Sequence, residues 1–343
     1  MPVLPTSFSP ATISRLSLAN AVANGLIVVT GGAVRLTGSG LGCPTWPRCT
    51  SESFTTTPEL AGHGVIEFGN RLLTFVLAAV AIATVVAVWR SARRDLRRLA
   101  ALTFVVAAAA IATVVAVWRS PRRDLRPLAV LTFLGIPAQA LLGGVTVLTG
   151  LNPWTVAAHF LVSAVLVALA TTLWLRSREP GVGEPLLRRP FVLLTWGIAA
   201  ATAAVLVLGT IVTGSGPHSG DVDDADVPTG DRIGIDTELI SQLHADVVFL
   251  LIGLTVALLV ALYATDSPDR VRRATRDLLL VELAQGVVGY VQYFTDLPIA
   301  LVLLHMAGAV LITAFAARLV WSVRGPASEL PLEQAHPVSA AVR

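Results

Sequence analysis

The stretch LISQLHADVVFLLIGLTVALLVALYA, residues 239–264, decides how this chain folds. As an α-helix its 26 residues reach further than the roughly 30 Å hydrocarbon core of a bilayer. A histidine, His244, sits a turn and a half inside its start. Comparable apolar stretches at 15–34, 64–89, 128–149, 155–176, 190–213, 277–294 and 299–321 give eight expected spans, and 99–118 is one further apolar segment. The expected fold is an all-α polytopic membrane protein. With 54% hydrophobic residues and a mean hydropathy of +0.73, the chain is not that of a soluble globule.

The net charge of +3 comes from arginine alone, because the chain holds no lysine. A pI near 9.4 in a soluble protein suggests nucleic acid. Here the arginines gather in short loops between spans, at 90–98, 176–189 and 270–276, where they act as topology signals. The 214–238 loop instead carries seven acids, from Asp221 to Glu238. Positive-inside logic places both termini in the cytoplasm and the acidic loop outside. The first apolar segment lacks a signal-peptide cleavage site and is expected to stay as a helix. Nothing in the chain resembles a phosphate loop, a nucleophile triad or a nucleic-acid surface.

The only cysteines, Cys43 and Cys49, lie in the first outer loop as CPTWPRC. Outside the cytoplasmic membrane a disulfide persists, and the two prolines favour the bend that joins the sulfurs. The other reading is two free or metal-bound thiols, with only the distant His63 to assist. A bridge here is either structural or responsive to redox poise.

Five polar residues stand inside the apolar helices near one end: Glu67, Asn70, His159, His244 and His305. An ionisable group in hydrocarbon is costly, faces the bundle interior and marks a site. His244 and His305 lie roughly 8–10 Å below the outer surface at 1.5 Å per residue. Equal depth on two helices suits a haem iron held between two imidazoles; the plainer reading is a hydrogen-bonded pair in a helix interface. Glu67 and Asn70, three apart, share a helical face. Asparagine is a poor iron ligand, so the half containing His159 offers one strong axial ligand and leaves the other face open. Glu67 suits proton transfer, or it pairs with Arg35 or Arg71, arginines that equally suit haem propionates. His63, His218 and His336 read as surface residues. Gln139, Gln285, Gln292 and Asp296 read as packing or loop hydrogen bonds, and Trp46 and Trp154 as interfacial anchors.

Two repeats organise the chain. An old one relates its halves: VRLTGSG at 34–40 resembles IVTGSG at 211–216, and Gln139, Gly143 and His159 recur as Gln285, Gly289 and His305. The expected architecture is two pseudo-symmetric four-helix bundles: 1–176, and 190–323, followed by a polar cytoplasmic tail at 324–343. A young repeat is nearly literal, residues 74–104 returning at 103–133 with an offset of 29 and five differences. This tandem duplication adds the extra segment, about 99–127. A ninth crossing would invert everything after residue 119, so we expect 99–118 not to cross but to lie as a re-entrant or interfacial hairpin, or to displace part of the second helix. Labelling of membranes that places residue 120 outside and residue 225 inside overturns that expectation.

Taken together, the CPTWPRC loop, Ile66-Glu67-Phe68-Gly69-Asn70-Arg71, the four-helix repeat and His159, His244 and His305 resemble the haem A synthase family. The resemblance covers nearly all of the chain except the duplicated segment and the tails. It implies a b-type haem held by His244 and His305 in the C-terminal half, and a haem O substrate site in the N-terminal half. It implies oxidation of the C8 methyl of haem O, through an alcohol, to the formyl of haem A. His159 then ligates or positions substrate, Glu67 assists the oxidation, and the haem sites lie toward the outer face of the cell membrane. A haem O synthase and an electron donor are the implied partners besides lipid, and a homo-oligomer is compatible with it. The chain departs from the family pattern at Asn70, where many members carry histidine, and in the duplication. The competing readings are a b-type cytochrome that only carries electrons and a haem-binding membrane protein without turnover.

Overall fold

The computed structural model describes residues 10–60, 62–71, 114–115, 117–118, 123–179, 183–218 and 232–325. Within them the helices are α1 (Pro10–Leu36), α2 (62–71), α3 (Arg126–Leu148), α4 (Pro153–Ser177), α5 (Arg189–Ser215), α6 (Thr237–Ala264), α7 (Asp269–Phe294) and α8 (Ile299–Ser322). Local chemistry sets the starts. Proline stands in the first turn of α3, α4 and α5, where its missing N–H is no loss. Asn152 caps α4 by accepting from the Trp154 N–H at 3.0 Å, and Asp236 caps α6 by accepting from the Leu239 N–H at 2.8 Å.

Six of these helices, α1, α3, α4, α5, α6 and α8, are long and apolar enough to cross a bilayer. The molecule is an all-α polytopic membrane protein. Its exterior carries large apolar side chains such as Phe249, Val260 and Val287, which hydrocarbon solvates. The spans expected from sequence agree with these helices to within a few residues, except for α7. That helix begins at Asp269 rather than 277, because Arg270, Arg272, Arg273 and Arg276 continue the same helix beyond its apolar part. The expected second span, 64–89, is described only as far as residue 71, and the arginine cluster 90–98 lies outside the described residues.

The old repeat is written into the backbone. The α3–α4 turn places Gly150 and Leu151 at positive φ, and the α7–α8 turn does the same with Asp296 and Leu297. Leu151 N–H donates to Thr146 O and Leu297 N–H to Gln292 O, both at 2.9 Å. The helix ends before the outer loops match as well: the Thr37 hydroxyl donates to Ala33 O and the Thr213 hydroxyl to Gly209 O. Pairings recur in the same way, α1 packing on α4 as α5 packs on α8, and α3 on α4 as α7 on α8. Helices α4 and α8 meet each other.

One end of the molecule carries the Cys43–Cys49 loop, and we call it the disulfide end. There Trp46 lies against Gly144 of α3, and Leu151 against Gly40. At the opposite end Ile13, Val117, Leu125, Ala129 and Leu173 form one apolar cluster. The described chain therefore leaves α2 near the disulfide end and resumes at Val114 near the opposite end. Of the extra segment 99–118, only residues 114, 115, 117 and 118 are described. Val117 is buried in that cluster, while Arg126 lies over the ring of Trp118, 5.2 Å from its centre. The opposite end is also where arginine pairs with acids, Arg318 with Asp277 at 2.9 Å, Arg176 with Asp124 at 3.2 Å and Arg270 with Glu179. Arg324 and Gly325, the first residues of the expected tail, pair antiparallel with Glu184 and Pro185; the rest of that tail lies outside the described residues.

Candidate functional site

His159 is the seventh residue of α4, His244 the eighth of α6 and His305 the seventh of α8, and all three helices start at the disulfide end. The three imidazoles thus lie about one and a half to two turns deep, on one level. Each ring has a buried Nδ1 that makes no hydrogen bond of ordinary geometry among the described residues, although at His244 the Val205 backbone carbonyl lies near enough to act on the ring.

A glycine on the preceding helix backs every one of these rings. A Cβ added at Gly143 would lie 3.2 Å from His159 Cε1, at Gly209 3.2 Å from His244 Cε1, and at Gly289 3.3 Å from His305 Cε1. In all three the Nδ1–Cε1 edge faces the glycine, with Nδ1 at 3.7 Å. Nε2 is thereby left on the side of the ring away from the glycine. The repeated glutamines act on the backbone of the same residues. Gln139 Nε2 donates to His159 O at 2.9 Å, and Gln285 Nε2 to His305 O at 2.7 Å. The sequence pattern of glutamine, glycine and histidine is therefore one device: glutamine clamps the histidine backbone, and glycine makes room for its ring. Sequence reasoning set Gln139 and Gln285 aside as packing and passed over Gly209. Their position is legible only once the helices are paired.

The remaining candidates divide into two groups. Glu67, Arg71, Cys43 and Cys49 come together. The cysteines form a disulfide, both buried. Glu67 is 4% exposed; its Oε2 accepts from the Cys43 N–H at 2.6 Å and its Oε1 from Arg71. Arg71 also donates to Cys43 O, Thr45 O and Arg48 O. Of the two pairings expected for Glu67, this is the one with Arg71, one helical turn away. The pair holds the disulfide loop onto α2. Arg35 stands apart, with Nε and Nη2 buried and lacking partners among the described residues, as an unanswered cation near the disulfide end of α1. Asn70, with Ala33, Thr37 and Ile66, lines a groove of about 370 Å³ between α1 and α2.

Other residues move from their expected places. Trp46, expected as an interfacial anchor, is half-buried, with its ring packed on Gly144, where a Cβ would lie 2.6 Å from Cδ2. Trp154 is exposed, and Tyr290, Tyr293 and Phe294 form an exposed aromatic group beside it in depth, as an interfacial belt requires. His63 is exposed and lies 3.0 Å from Ser39 Oγ, while His218 reaches the Leu297 carbonyl at 2.9 Å. His336 lies outside the described residues. A sixth polar residue escaped the sequence reading. Glu282, 2% exposed in α7, accepts from the Thr255 hydroxyl at 3.0 Å.

A match to the cytochrome oxidase assembly protein family (COX15-CtaA) covers residues 14–317. The chain is similar to proteins named heme A synthase. That of Bacillus pumilus is 30% identical over 167 residues, 48% of this chain and 45% of the relative. Those of Halalkalibacterium halodurans and Alkalihalophilus pseudofirmus are 26% and 25% identical, each over 54% of both chains. The chain spans about half the length of the curated relatives it matches.

Proposed function

The chain belongs to the cytochrome oxidase assembly protein family, and on that footing we propose that it is a haem A synthase, oxidising the C8 methyl of haem O to the formyl of haem A by way of the alcohol. The observation that carries this reading is the set of three half-buried imidazoles at one depth, each with its Nδ1–Cε1 edge against a glycine of the preceding helix and its Nε2 on the other side. Such residues fit haem iron: histidine is a common axial ligand, and an apolar helical interior raises the worth of each bond to it.

In this reading the 190–323 half holds a resident haem b between His244 and His305, and the 1–176 half takes haem O on His159. A haem of that kind supplies one-electron transfer. The protein's own part is positional. Gln139 and Gln285 fix the backbone carbonyls of two of the ligands, so their helices cannot rotate away. Arg35, whose buried Nε and Nη2 have no partner among the described residues, offers its guanidinium to a propionate, a bond that charge assistance strengthens. Arg71, already committed to Glu67 and three loop carbonyls, supports the loop instead. Glu67 lies under the disulfide loop, within three residues of Asn70, and is the carboxylate available to move a proton or to stabilise positive charge near the substrate. We place both termini in the cytoplasm and the disulfide end outside, following the arginines of the opposite end. A haem O synthase supplies the substrate, and an electron donor is the second partner.

One observation favours the non-catalytic alternative, a haem-binding or electron-carrying protein. Both Glu67 oxygens are engaged, which is how a structural anchor behaves. Haem extraction and chromatography from membranes that express the full chain with a haem O supply decide between them. The expected product is haem A or its alcohol precursor. Haem b accompanied by unchanged haem O refutes the synthase reading.

A further inference from the structure

Three of the four histidine-type positions in this fold obey one steric rule, and the fourth breaks it on both sides at once. His159, His244 and His305 each present the Nδ1–Cε1 edge to a glycine of the preceding helix. The fourth position follows from the repeat. Thr37-Gly38-Ser39-Gly40 corresponds to Thr213-Gly214-Ser215-Gly216, and the two threonine hydroxyls bond to Ala33 O and Gly209 O in the same way. Ala33 is thus the counterpart of Gly209. Ala33 and Asn70 line the same groove between α1 and α2, in the place that Gly209 and His244, in direct contact, take between α5 and α6. Where the helix offers glycine the partner is histidine; where it offers alanine the partner is asparagine.

We propose that Ala33 decides what residue 70 can be: its methyl takes the space an imidazole edge fills in the other three pairs, so the α1–α2 pair is built to keep an axial imidazole out. The distances give the reason. A Cβ opposite each of the three rings would stand 3.2–3.3 Å from Cε1, closer than a methyl carbon normally approaches an aromatic carbon. A histidine at 70 therefore has to tilt or withdraw, and an axial ligand tolerates little misplacement. Asn70 is shorter and clears the methyl. A substrate held by His159 then has its α2-facing side free of protein imidazole by design, with residue 33 as the positioning determinant.

This inference rests on the haem reading of His159, and one set of variants separates the two. The full chain is purified as Ala33→Gly, Asn70→His and the double variant, each also with His159→Ala. Low-spin bis-histidine haem beyond the C-terminal centre is read by electron paramagnetic resonance and redox difference spectra. The double variant is expected to gain such a centre, roughly tenfold more populated than in Asn70→His alone. Ala33→Gly alone should match the parent, and His159→Ala should remove the gained centre.

Equal gain in Asn70→His and in the double variant overturns the role of Ala33. So does no gain in the double variant when His159→Ala still lowers the parent's haem content. If His159→Ala changes neither content nor spectrum in any background, the haem reading of His159 fails, and the proposal with it. A reciprocal change guards against misfolding. Gly209→Ala puts the methyl opposite His244, and alanine is the better helix former, so the helix itself is not weakened. Haem b ligation is expected to loosen, with a shifted low-spin spectrum; an unchanged spectrum refutes the steric rule.

Discussion

Alanine at His244 or at His305 is expected to abolish the b-type spectrum of the purified protein, taking bound haem b from one per chain to none, while His159→Ala leaves that spectrum in place. The two residues sit at matching depth on α6 and α8. Each ring turns its Nδ1–Cε1 edge to a glycine of the preceding helix, which leaves Nε2 on the opposite side, where an iron would bind it. Losing one imidazole leaves an iron with a single strong protein ligand in an apolar helical setting. His305→Gly gives the sharper measurement. It leaves room for added imidazole, which should restore the low-spin bands in titratable fashion; a structural role for His305 predicts no such rescue. Full haem b retention in either alanine variant refutes the ligand assignment.

The sequence makes the spans legible because hydrocarbon imposes a length on apolar runs, and the histidines legible because each is an isolated ionisable group at one depth. Charge hides α7's beginning: four arginines within its first eight residues continue the same helix as the apolar part, yet look like a loop to a hydropathy reading. The glycine behind each histidine is hidden for a different reason. Gly209 lies in an apolar run where any small residue permits close packing, and only the pairing of α5 with α6 shows which ring it faces. Glu67 and Arg71, four apart, were pairable from spacing alone. That they hold the backbone of a loop about 25 residues earlier in the chain is tertiary information. Glu282 is a single carboxylate halfway along a helix whose arginine-rich start draws the eye elsewhere.

The largest functional effect is expected at Glu67, and two variants are needed to read it. Its Oε2 holds the Cys43 N–H and its Oε1 holds Arg71, which in turn holds Cys43 O, Thr45 O and Arg48 O. Glu67→Ala strips both contacts and leaves the Arg71 guanidinium buried against the disulfide loop without its counter-charge, a loss that destabilises a buried pair by about 3–5 kcal/mol. Loss of turnover in that variant therefore does not separate chemistry from loop anchoring. Glu67→Gln keeps the side-chain length and one accepting oxygen, so most of the loop contact survives, but it can neither carry negative charge nor exchange a proton. If the carboxylate moves protons or stabilises positive charge, Glu67→Gln lowers haem O oxidation by roughly 10²–10⁴-fold, with haem b and the Cys43–Cys49 bridge intact. If Glu67 is only the anchor of the loop, Glu67→Gln turns over at nearly the parent rate and Glu67→Ala alone fails. The ratio of the two variants' rates, measured by haem chromatography beside a thiol count, assigns the residue to chemistry or to the loop.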